Sequence, residues 1–429
     1  MAACRRGLSR NFLPSADIFS ERKVSLSSAL NVLQMVQTLD PSVGGVSRAV
    51  LALSRGLARR GHKIDIIVLD DPASPWLADI DLTVRALGTG LTSYRYSKKL
   101  MPWLRKHGGN YDCVIVNGLW QYISFAARRR YARTSIPYFV FPHGMLDPWF
   151  KRTFPLKHLK KWLYWPWADY RVLRDATAVI FTSEEERLQA RKSFWLYRCR
   201  EKVSALGIEA PAPLVPQAPE KFLERFPSLR DRRILLFLGR LHPKKGCDLI
   251  IDAFRTLKPA GTSLVLAGPD QVGWEKELRA RVADLPVVFT GLLQGEMKQA
   301  ALVCADAFIL PSHQENFGMS VVEALAAGLP VLISNRVNIW HEIEIDRAGY
   351  VDTDDLGGIT RLMERWLSAP DQDRHLMRTN ARNCFARRYE IGRAVDSLLA
   401  ILSDGSPIGR IRPLADRTDS SRGEQETPC

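Results

Sequence analysis

The chain of 429 residues lacks patterned cysteines and long apolar runs, and we expect no secretory leader. Its seven cysteines are scattered without CxxC spacing, which argues against a disulfide framework and against a structural zinc site. No window offers about 18 uninterrupted apolar residues, so we expect no membrane-spanning helix. The opening stretch, MAACRRGLSRNFLPSADIFSERK, has no apolar segment of the kind that a secretory signal requires. These absences predict a reduced, cytoplasmic protein.

Several catalytic signatures are missing as well. No G-x-G-x-x-G follows the first predicted strand and no Walker A sequence occurs, which disfavours a dehydrogenase or an NTPase. HEIEI (341–345) departs from HExxH and excludes a zincin. Two DxD strings, 79–81 and 352–354, resemble metal-binding acids, but the second falls in a loop where Asp is expected to cap a helix. We therefore predict no metal and no cofactor.

The excess of basic over acidic residues lies entirely in the first half of the chain. The net charge is +15. Residues 1–212 hold 33 Lys and Arg against 17 Asp and Glu, whereas residues 213–429 hold 28 against 29. Such asymmetry predicts an anionic partner for the first half: an acidic membrane surface, a phosphorylated acceptor or nucleic acid.

Short, β-rich apolar runs alternate with helix-length segments along most of the chain. The first half contains LNVLQMV, KIDIIVL, LTVRAL, CVIVNG, YFVFPHG and AVIFTS, and the second contains RILLFLGR, SLVLAGP, VVFTG, AFILPS and PVLIS. Alternation of this kind predicts an α/β fold with parallel sheets covered on both faces. We expect two Rossmann-like domains with parallel sheets that face each other across a cleft.

The predicted domain boundaries depend on one proline-rich break. PAPLVPQAP (211–219) has four prolines in nine residues, so it cannot continue a helix or a central strand. The resulting division is a loose N-terminal extension 1–27, a first domain 28–210, a linker 211–219, a second domain 220–385, a C-terminal helix 386–402 that packs back on the first domain, and a disordered tail 403–429.

The segment FLGRLHPKKGCD (237–248) is a candidate phosphate site. It passes from a predicted strand, through a turn that contains Arg240 and Lys245, to a helix opened by Gly246. Arginine and lysine bind phosphate by charge-assisted hydrogen bonds, and a helix N-terminus favours the same anion. A solvated basic loop is the alternative interpretation.

The segment PSHQENFGMSVVEALAAG (311–328) places Glu315 and Glu323 on either side of a predicted helix start. The helix, expected from about 319 to 327, begins after Gly318 and offers free N–H groups to a diphosphate. A glutamate here can accept hydrogen bonds from ribose or sugar hydroxyls. Alternatively, one acid complements the helix dipole and the other lies on the helix surface.

These two segments together resemble the retaining GT-B glycosyltransferases of family 4. GRLHPKKGCDLIIDAF looks like the Arg/Lys phosphate clamp of that family, and the two glutamates look like its E-x7-E signature. The similarity continues through GGVSRAVLALSRGLARRGHKIDIIV and FVFPHGMLDPW, and it covers roughly residues 30–400.

The resemblance implies transfer of a sugar from a UDP- or GDP-sugar with retention of configuration and without a metal. The departing phosphate then helps to deprotonate the acceptor hydroxyl. Glu315 is expected to contact the transferred sugar, and His143 of FPHG to face the acceptor side of the cleft. The donor-binding residues that the resemblance implies are Gly44, Gly45, Arg240, Lys245, Asn316, Phe317, Gly318, Met319, Ser320 and Glu323.

The predicted acceptor is a hydroxyl of a glycan or lipid-linked saccharide, in the assembly of bacterial exopolysaccharide, capsule or lipopolysaccharide. Two alternatives stay open: a nucleotide-sugar epimerase of GT-B fold, and a nucleic-acid-binding protein that uses the basic half. Because RRM, KH and helix-turn-helix signatures are missing, we expect no nucleic acid partner.

The segment FKRTFPLKHLKKWLYWPWADYRVLR (150–174) mixes basic residues with aromatic ones. Lysine with interfacial tryptophan and tyrosine is typical of a membrane surface. The segment predicts peripheral contact with an anionic membrane, on the inner face of the plasma membrane. The alternative is a domain helix whose aromatic side chains face the core and whose lysines are solvated.

Overall fold

The structure, a computed structural model, describes residues 29–282 and 284–404. The described residues form two parallel sheets, of seven and six strands, each covered by helices. The expected α/β class with two Rossmann-like sheets is therefore confirmed. The predictions for the extension 1–27 and for 405–429 of the tail lie outside the described residues.

The first sheet contains seven parallel strands in the order β3-β2-β1-β4-β5-β6-β7. Its five inner strands are largely buried because helices cover both faces, as the continuous apolar runs predict, whereas the edge strands β3 and β7 are only partly covered. The strands are β1 (Asn31–Val36), β2 (Lys63–Val68), β3 (Thr83–Ala86), β4 (Cys113–Asn117), β5 (Tyr138–Phe141), β6 (Ala178–Phe181) and β7 (Glu201–Val203).

The helices of the first half lie between these strands. They are α1 (Gly45–Arg59), α2 (Leu100–His107), α3 (Tyr122–Tyr131), α4 (Trp149–Thr153), α5 (Pro155–Tyr164), α6 (Asp169–Asp175) and α7 (Glu184–Ala190). Short 3-10 turns occupy Pro75–Leu77 and Gly108–Asn110.

The second sheet contains six parallel strands in the order β10-β9-β8-β11-β12-β13. They are β8 (Arg233–Leu238), β9 (Thr262–Ala267), β10 (Val287–Gly291), β11 (Ala307–Leu310), β12 (Val331–Ser334) and β13 (Gly349–Asp352). The helices are α8 (Ala218–Arg225), α9 (Cys247–Leu257), α10 (Glu275–Val282), α11 (Gly295–Cys304), α12 (Met319–Ala326), α13 (Trp340–Ile345), α14 (Leu356–Ser368), α15 (Asp371–Cys384) and α16 (Ile391–Asp404).

The structure corrects the sequence-based reading at four places. Strand β7 was not expected, and β13 was read as part of a loop, because both are short and lie at sheet edges. Helix α8 begins at Ala218, inside the predicted linker, since Pro219 is tolerated in the first turn of a helix. Helix α16 extends through Ser403 to Asp404, so the tail does not begin at 403.

In each sheet the order in which strands are added reverses at the strand that comes first in the sequence, β1 or β8. In the first sheet β1 lies between β2 and β4, and in the second β8 lies between β9 and β11. Such switch points open crevices at the carboxyl ends of the strands, where ligands of α/β folds bind. The loops after β1, β8 and β11 therefore leave strands that border these crevices, and the loop after β5 lies one strand away from the first crevice.

The last helix returns to the first half of the chain. Residue Ile208 exchanges backbone hydrogen bonds with the segment before α16: its N–H donates to Tyr389 O (3.0 Å), and its carbonyl accepts from Ile391 N–H (2.9 Å). Helix α16 packs on α1, where Gly56 lies under Val395. In the described part of the chain, no helix combines the length and the apolarity that crossing a membrane requires.

Candidate active site between the two sheets

The glycine loop after β1 reaches the second half of the protein. Gly44 has φ 143°, a conformation that residues with a side chain rarely adopt, and it precedes α1. A Cβ atom on Gly45 would lie 3.2 Å from Cγ of Met319, so the absence of a side chain permits this approach. The glycine pair therefore brings the first-half backbone against the start of α12.

Glu315 and Lys245 form an ion pair at the carboxyl edge of the second sheet. The backbone of Glu315 is fixed because its N–H donates to Arg336 O (2.9 Å) and its carbonyl accepts from Asn338 N–H (3.0 Å). Burial alone raises the pKa of the Glu315 carboxyl, but the charge and hydrogen bond of Lys245, with the charge of Lys244, hold this pKa below its ordinary value. The residue is thus an ionised carboxylate on a rigid loop.

The loop after Glu315 leads into α12 through a left-handed glycine. Gly318 has φ 73° and caps the helix, and its carbonyl accepts from Val321 N–H (2.8 Å). The side chain of Phe317 is buried and packs edge-on against Tyr389, with ring centroids 5.6 Å apart. Phe317 can therefore offer a ligand only its backbone groups. The N–H groups of Met319 and of the next residue, Ser320, have no partner within the helix, and free N–H groups at a helix start favour an anion.

Glu323 lies one turn farther along α12 and has different partners from Glu315. Its Oε1 accepts hydrogen bonds from Nη1 of Arg48 on α1 (3.1 Å) and from Nζ of Lys298 on α11 (2.8 Å). The two glutamates of the E-x7-E spacing thus occupy separate positions on the same side of the cleft, one on the loop and one on the helix.

The basic turn after β8 spreads its three cations in different directions. Nη1 of Arg240 donates to Oε1 of Gln271 (3.1 Å), whose amide lies 3.5 Å from the carbonyl of Ser42 in the glycine loop. The ammonium group of Lys244 lies 5.3 Å from the ring centroid of Trp149 at the start of α4. Burial lowers the pKa of Lys244. Arg240 and Lys245 were predicted from the sequence, whereas this contact of Lys244 with the first half was not.

His143 follows β5 and adopts a left-handed backbone conformation, φ 49°. Its ring stacks on Phe141 and its Nε2 lies 3.0 Å from Oδ1 of Asn117, the last residue of β4. The Nδ2 group of Asn117 donates to Oε1 of Gln34 (2.9 Å), so Oδ1 is the acceptor and His143 donates from Nε2. This assignment leaves Nδ1 as a hydrogen-bond acceptor. Burial lowers the pKa of His143 to about 4, which keeps the ring neutral at physiological pH.

Glu186 also belongs to this region, although it was not predicted from the sequence. Its carboxylate accepts hydrogen bonds from the N–H of Gly144 (2.5 Å) and from the N–H (2.6 Å) and hydroxyl (2.7 Å) of Thr182. The Thr182 hydroxyl oxygen also accepts from Nδ2 of Asn316 (3.0 Å). Glu186 therefore fixes the turn that contains His143 through its hydrogen bond to Gly144. Through Thr182 it also orients Asn316, the residue next to Glu315.

A sequence signal for Glu186 exists. Ser183 and Glu186 have the S-x-x-E spacing of a capping box, and Oγ of Ser183 accepts from the N–H of Glu186 (3.1 Å). The carboxylate, however, bonds Thr182 and Gly144 rather than Ser183, which local spacing does not indicate. Burial raises the pKa of Glu186, and these hydrogen bonds counteract only part of that effect.

The two aspartates of the second DxD string, 352–354, are bound to arginine side chains. Asp352 accepts from Nε of Arg361 (3.0 Å), and Asp354 accepts from Nε of Arg336 (3.0 Å). Asp355 caps α14 by accepting from Gly358 N–H (2.8 Å), as the sequence predicted for an Asp of this loop. Residues 29–282 and 284–404 contain no group of three or more His, Cys, Asp or Glu arranged to hold a metal ion. The absence of a metal stays a prediction.

Two facing Rossmann-like sheets, with a cationic turn and a helix start at the cleft, define the class of GT-B glycosyltransferases. Two family models match the chain: one described as a glycosyl transferase 4-like domain over residues 44–203, and one described as glycosyl transferases group 1 over residues 220–384. The chain belongs to the group 1 glycosyltransferases of the GT-B fold. The resemblance seen in the sequence is thereby confirmed at the level of family and fold.

The chain is also similar to individual proteins over most of its length. It is 26% identical over 357 residues to mannosylfructose-phosphate synthase of Agrobacterium fabrum, which covers 73% of this chain and 77% of that protein. It is 27% identical over 323 residues to a GDP-mannose-dependent alpha-mannosyltransferase of Mycolicibacterium smegmatis, covering 71% and 79%. The structure of Anabaena Alr3699/HepE in complex with UDP and glucose superimposes with a TM-score of 0.70 at 17% identity, covering 87% of this chain and 100% of that one, and shows the shared fold.

Proposed function

We propose that this glycosyltransferase moves a sugar from a UDP- or GDP-sugar to a hydroxyl of a glycan or lipid-linked saccharide, with retention of anomeric configuration. The observation that carries the proposal is the ionised Glu315, paired with Lys245 and followed directly by the open N-terminus of α12. The carboxylate can accept hydrogen bonds from the sugar, and the helix start can bind the diphosphate. The short loop between them places both next to the bond between sugar and phosphate.

The donor diphosphate is proposed to bind between Arg240, Lys245 and the N–H groups at the start of α12. Cations and a helix N-terminus both favour a doubly charged phosphate group. Gly44 and Gly45 allow the first-half backbone to approach the same point, since a Cβ atom on Gly45 would lie 3.2 Å from Cγ of Met319. A diphosphate bound here competes with Glu315 for the Lys245 ammonium group.

The two ends of the donor are proposed to bind the two glutamates. Glu323 lies one turn inside α12, and its Oε1 accepts hydrogen bonds from Arg48 and Lys298. Its carboxylate is proposed to accept hydrogen bonds from the ribose hydroxyls in addition. Glu315 contacts the transferred sugar, and the backbone around Asn316, Phe317 and Gly318 lines it. A similar protein is GDP-mannose-dependent and a structural neighbour was solved with UDP and glucose, which supports a UDP- or GDP-sugar as the donor class.

The proposed chemistry is a substitution at the anomeric carbon. The acceptor oxygen forms the new bond to that carbon, the bond to the diphosphate oxygen breaks, and the acceptor proton passes to the departing phosphate. No strong protein base and no metal are required in this scheme. The protein contributes positioning and stabilisation of the leaving charge. Neutral His143, with Nδ1 as acceptor, is proposed to bind a sugar hydroxyl on the acceptor side.

The proposed biological setting is the assembly of a bacterial exopolysaccharide, capsule or lipopolysaccharide. Nucleotide sugars are cytoplasmic metabolites, so the proposed place of action is the cytoplasm, at the inner face of the plasma membrane. The excess of positive charge in the first half supports an anionic surface there.

The test is Glu315→Gln, assayed for transfer with a panel of nucleotide sugars in the presence of a metal chelator. We expect the wild type to remain active and the variant to lose at least about 100-fold in kcat, because an electrostatic contact to the reacting sugar is removed. Glu364→Gln, an exposed substitution on α14, is the matched control. Near-normal turnover by Glu315→Gln, with folding intact by circular dichroism, contradicts the role of Glu315, and loss of wild-type activity on chelation contradicts the metal-free scheme.

A further inference from the structure

Helix α5 exposes leucines along one side. Leu156, Leu159 and Leu163 are spaced so that they share one face of the helix, and they are 83%, 55% and 62% exposed. Trp162 borders the same face at 42% exposure, and Trp195 lies next to it, with ring centroids 6.2 Å apart. Contiguous exposed apolar side chains of this size mark a contact surface.

The opposite side of α5 packs on the protein with polar side chains. The ring of His158 stacks on Phe194 at 4.9 Å, and the ammonium group of Lys161 lies 4.5 Å from the ring centroid of Trp120. An ordinary surface helix buries its leucines and exposes its lysines. Helix α5 is oriented the other way, so the folding of this chain does not account for its leucine face.

Basic residues surround the leucine face and acidic ones are missing from it. Lys151, Arg152, Lys157 and Lys160 are exposed, and the sequence contains no Asp or Glu between Asp147 and Asp169. An anionic surface complements this rim, whereas a second copy of the chain would bring the same cations together. Helices that lie in a membrane interface insert an apolar face into the lipid and have lysine and tryptophan side chains at the edges of that face.

We propose that the α5 face, defined by Leu156, Leu159, Trp162, Leu163 and Trp195, inserts into the headgroup region of an anionic lipid monolayer. The leucines enter the acyl boundary, the tryptophans lie at the interface, and the lysines contact lipid phosphates. The helix lies parallel to the membrane plane and does not span the bilayer.

The α5 face is close to the proposed active site. The ammonium group of Lys161 on α5 lies 5.5 Å from the ring centroid of Phe150 on α4, and Lys244 of the donor side lies 5.8 Å from the centroid of the same ring. Oδ2 of Asp147, just before α4, accepts from Nε2 of Gln314 beside Glu315 (2.9 Å). A membrane bound at α5 therefore lies beside the cleft, which favours an acceptor attached to a lipid. This last step rests on the proposed function.

The experiment is co-sedimentation of the full chain with phosphatidylcholine vesicles, with and without phosphatidylglycerol. We expect binding to the anionic vesicles that weakens with added salt. Leu156→Ser/Leu159→Ser/Leu163→Ser should weaken it at least about tenfold, since burial of three leucine side chains is lost. Lys157→Glu/Lys160→Glu should also weaken binding to anionic vesicles.

The matched control is Leu292→Ser/Ile345→Ser/Leu376→Ser, which changes three exposed residues of the second half. Their exposed fractions are 58%, 71% and 55%, and the variant should retain wild-type binding.

Failure of the wild type to bind anionic vesicles overturns the proposal, and so does wild-type binding by the leucine variant. A wild-type dimer that becomes monomeric in the leucine variant, without vesicle binding by either, assigns the face to a second copy instead. Vesicle binding is measured without nucleotide sugar, and transferase activity is measured on a detergent-free water-soluble acceptor. A negative result for the membrane therefore leaves the proposed transfer reaction untouched, and loss of transfer leaves the membrane result untouched.

Discussion

At the residue scale, the Lys245 ammonium group is the cation that pairs directly with the Glu315 carboxylate. The charges of Lys244 and Arg240 also lower the pKa of that carboxyl. A diphosphate placed at the start of α12 is attracted by the same cations. We therefore expect the same basic turn to govern both the binding of the donor and the ionisation of Glu315.

Arg240→Ala/Lys245→Ala should therefore weaken the binding of UDP and GDP by about tenfold or more, because two charge-assisted contacts to phosphate are removed. Isothermal titration calorimetry measures the affinity directly. Lys221→Ala/Arg225→Ala, which removes two exposed cations from α8, is the charge-matched control and should bind as the wild type does. Equal affinities for the two double variants would show that the basic turn does not bind the donor.

At the scale of elements, one buried aspartate connects α13 to the segment before α16. Asp346 follows α13, its side chain is 2% exposed, and it accepts hydrogen bonds from Arg387 and from Nε of Arg388 (2.7 Å). Both arginines belong to the π-helix Phe385–Tyr389. Burial raises the pKa of Asp346, but the arginine hydrogen bonds outweigh it and lower the pKa to about 2.

Asp346→Asn should lower the free energy of unfolding by about 3 kcal/mol, since two arginines lose a buried carboxylate. The folded-state pKa lies below that of an unfolded aspartate, so this stabilisation is present above about pH 4 and is lost as the pH falls toward 2. In urea unfolding across this pH range, the unfolding free energy of the variant should depend less on pH than that of the wild type.

Asp371→Asn, at a side chain 96% exposed, is the control and should change the unfolding free energy by less than about 0.5 kcal/mol. Parallel acid profiles for Asp346→Asn and the wild type would contradict the role of this ion pair.

At the scale of the whole molecule, contacts between the halves hold the cleft together from two sides. On the site side, Asn316 bonds Thr182, and Gln314 bonds Asp147. On the other side, α16 returns from the second half and packs on α1. A Cβ atom on Gly56 would lie 2.5 Å from Cγ2 of Val395, so this packing requires a glycine on α1.

Gly56→Val should displace α16 from α1 and lower the melting temperature by several degrees, because the added side chain and the stiff Val395 cannot share the space. Limited proteolysis should then cut near α16 faster than in the wild type. Gly109→Val is the control, since a Cβ atom there meets only Nη2 of Arg130, at 4.0 Å. If Gly56→Val melts like the control and resists proteolysis equally, α16 is not held by this contact.

Much of the fold and the second-half site was predictable from local patterns. Apolar runs indicated eleven of the thirteen strands in residues 29–282 and 284–404, and Gly318 marked the start of α12 within one residue. Both signals depend on residues that are neighbours in the sequence. The edge strands β7 and β13 were missed, since short edge strands lack a continuous apolar run. The resemblance selected Glu315, Lys245 and His143, but the hydrogen bonds of Glu186 to Gly144 and Thr182 join residues that no local pattern connects.

By itself, the sequence determined the parallel sheets, the family and the charge asymmetry between the halves. Only the tertiary structure decided which side of α5 packs on the protein. The helical spacing of Leu156, Leu159 and Leu163 is the same whether they face the core or the solvent. The rings of Trp120 and Phe194 already contact Lys161 and His158, so the polar side of the helix is turned inward and the leucines outward. Side-chain periodicity defines a face, but the partner available in space determines where that face points.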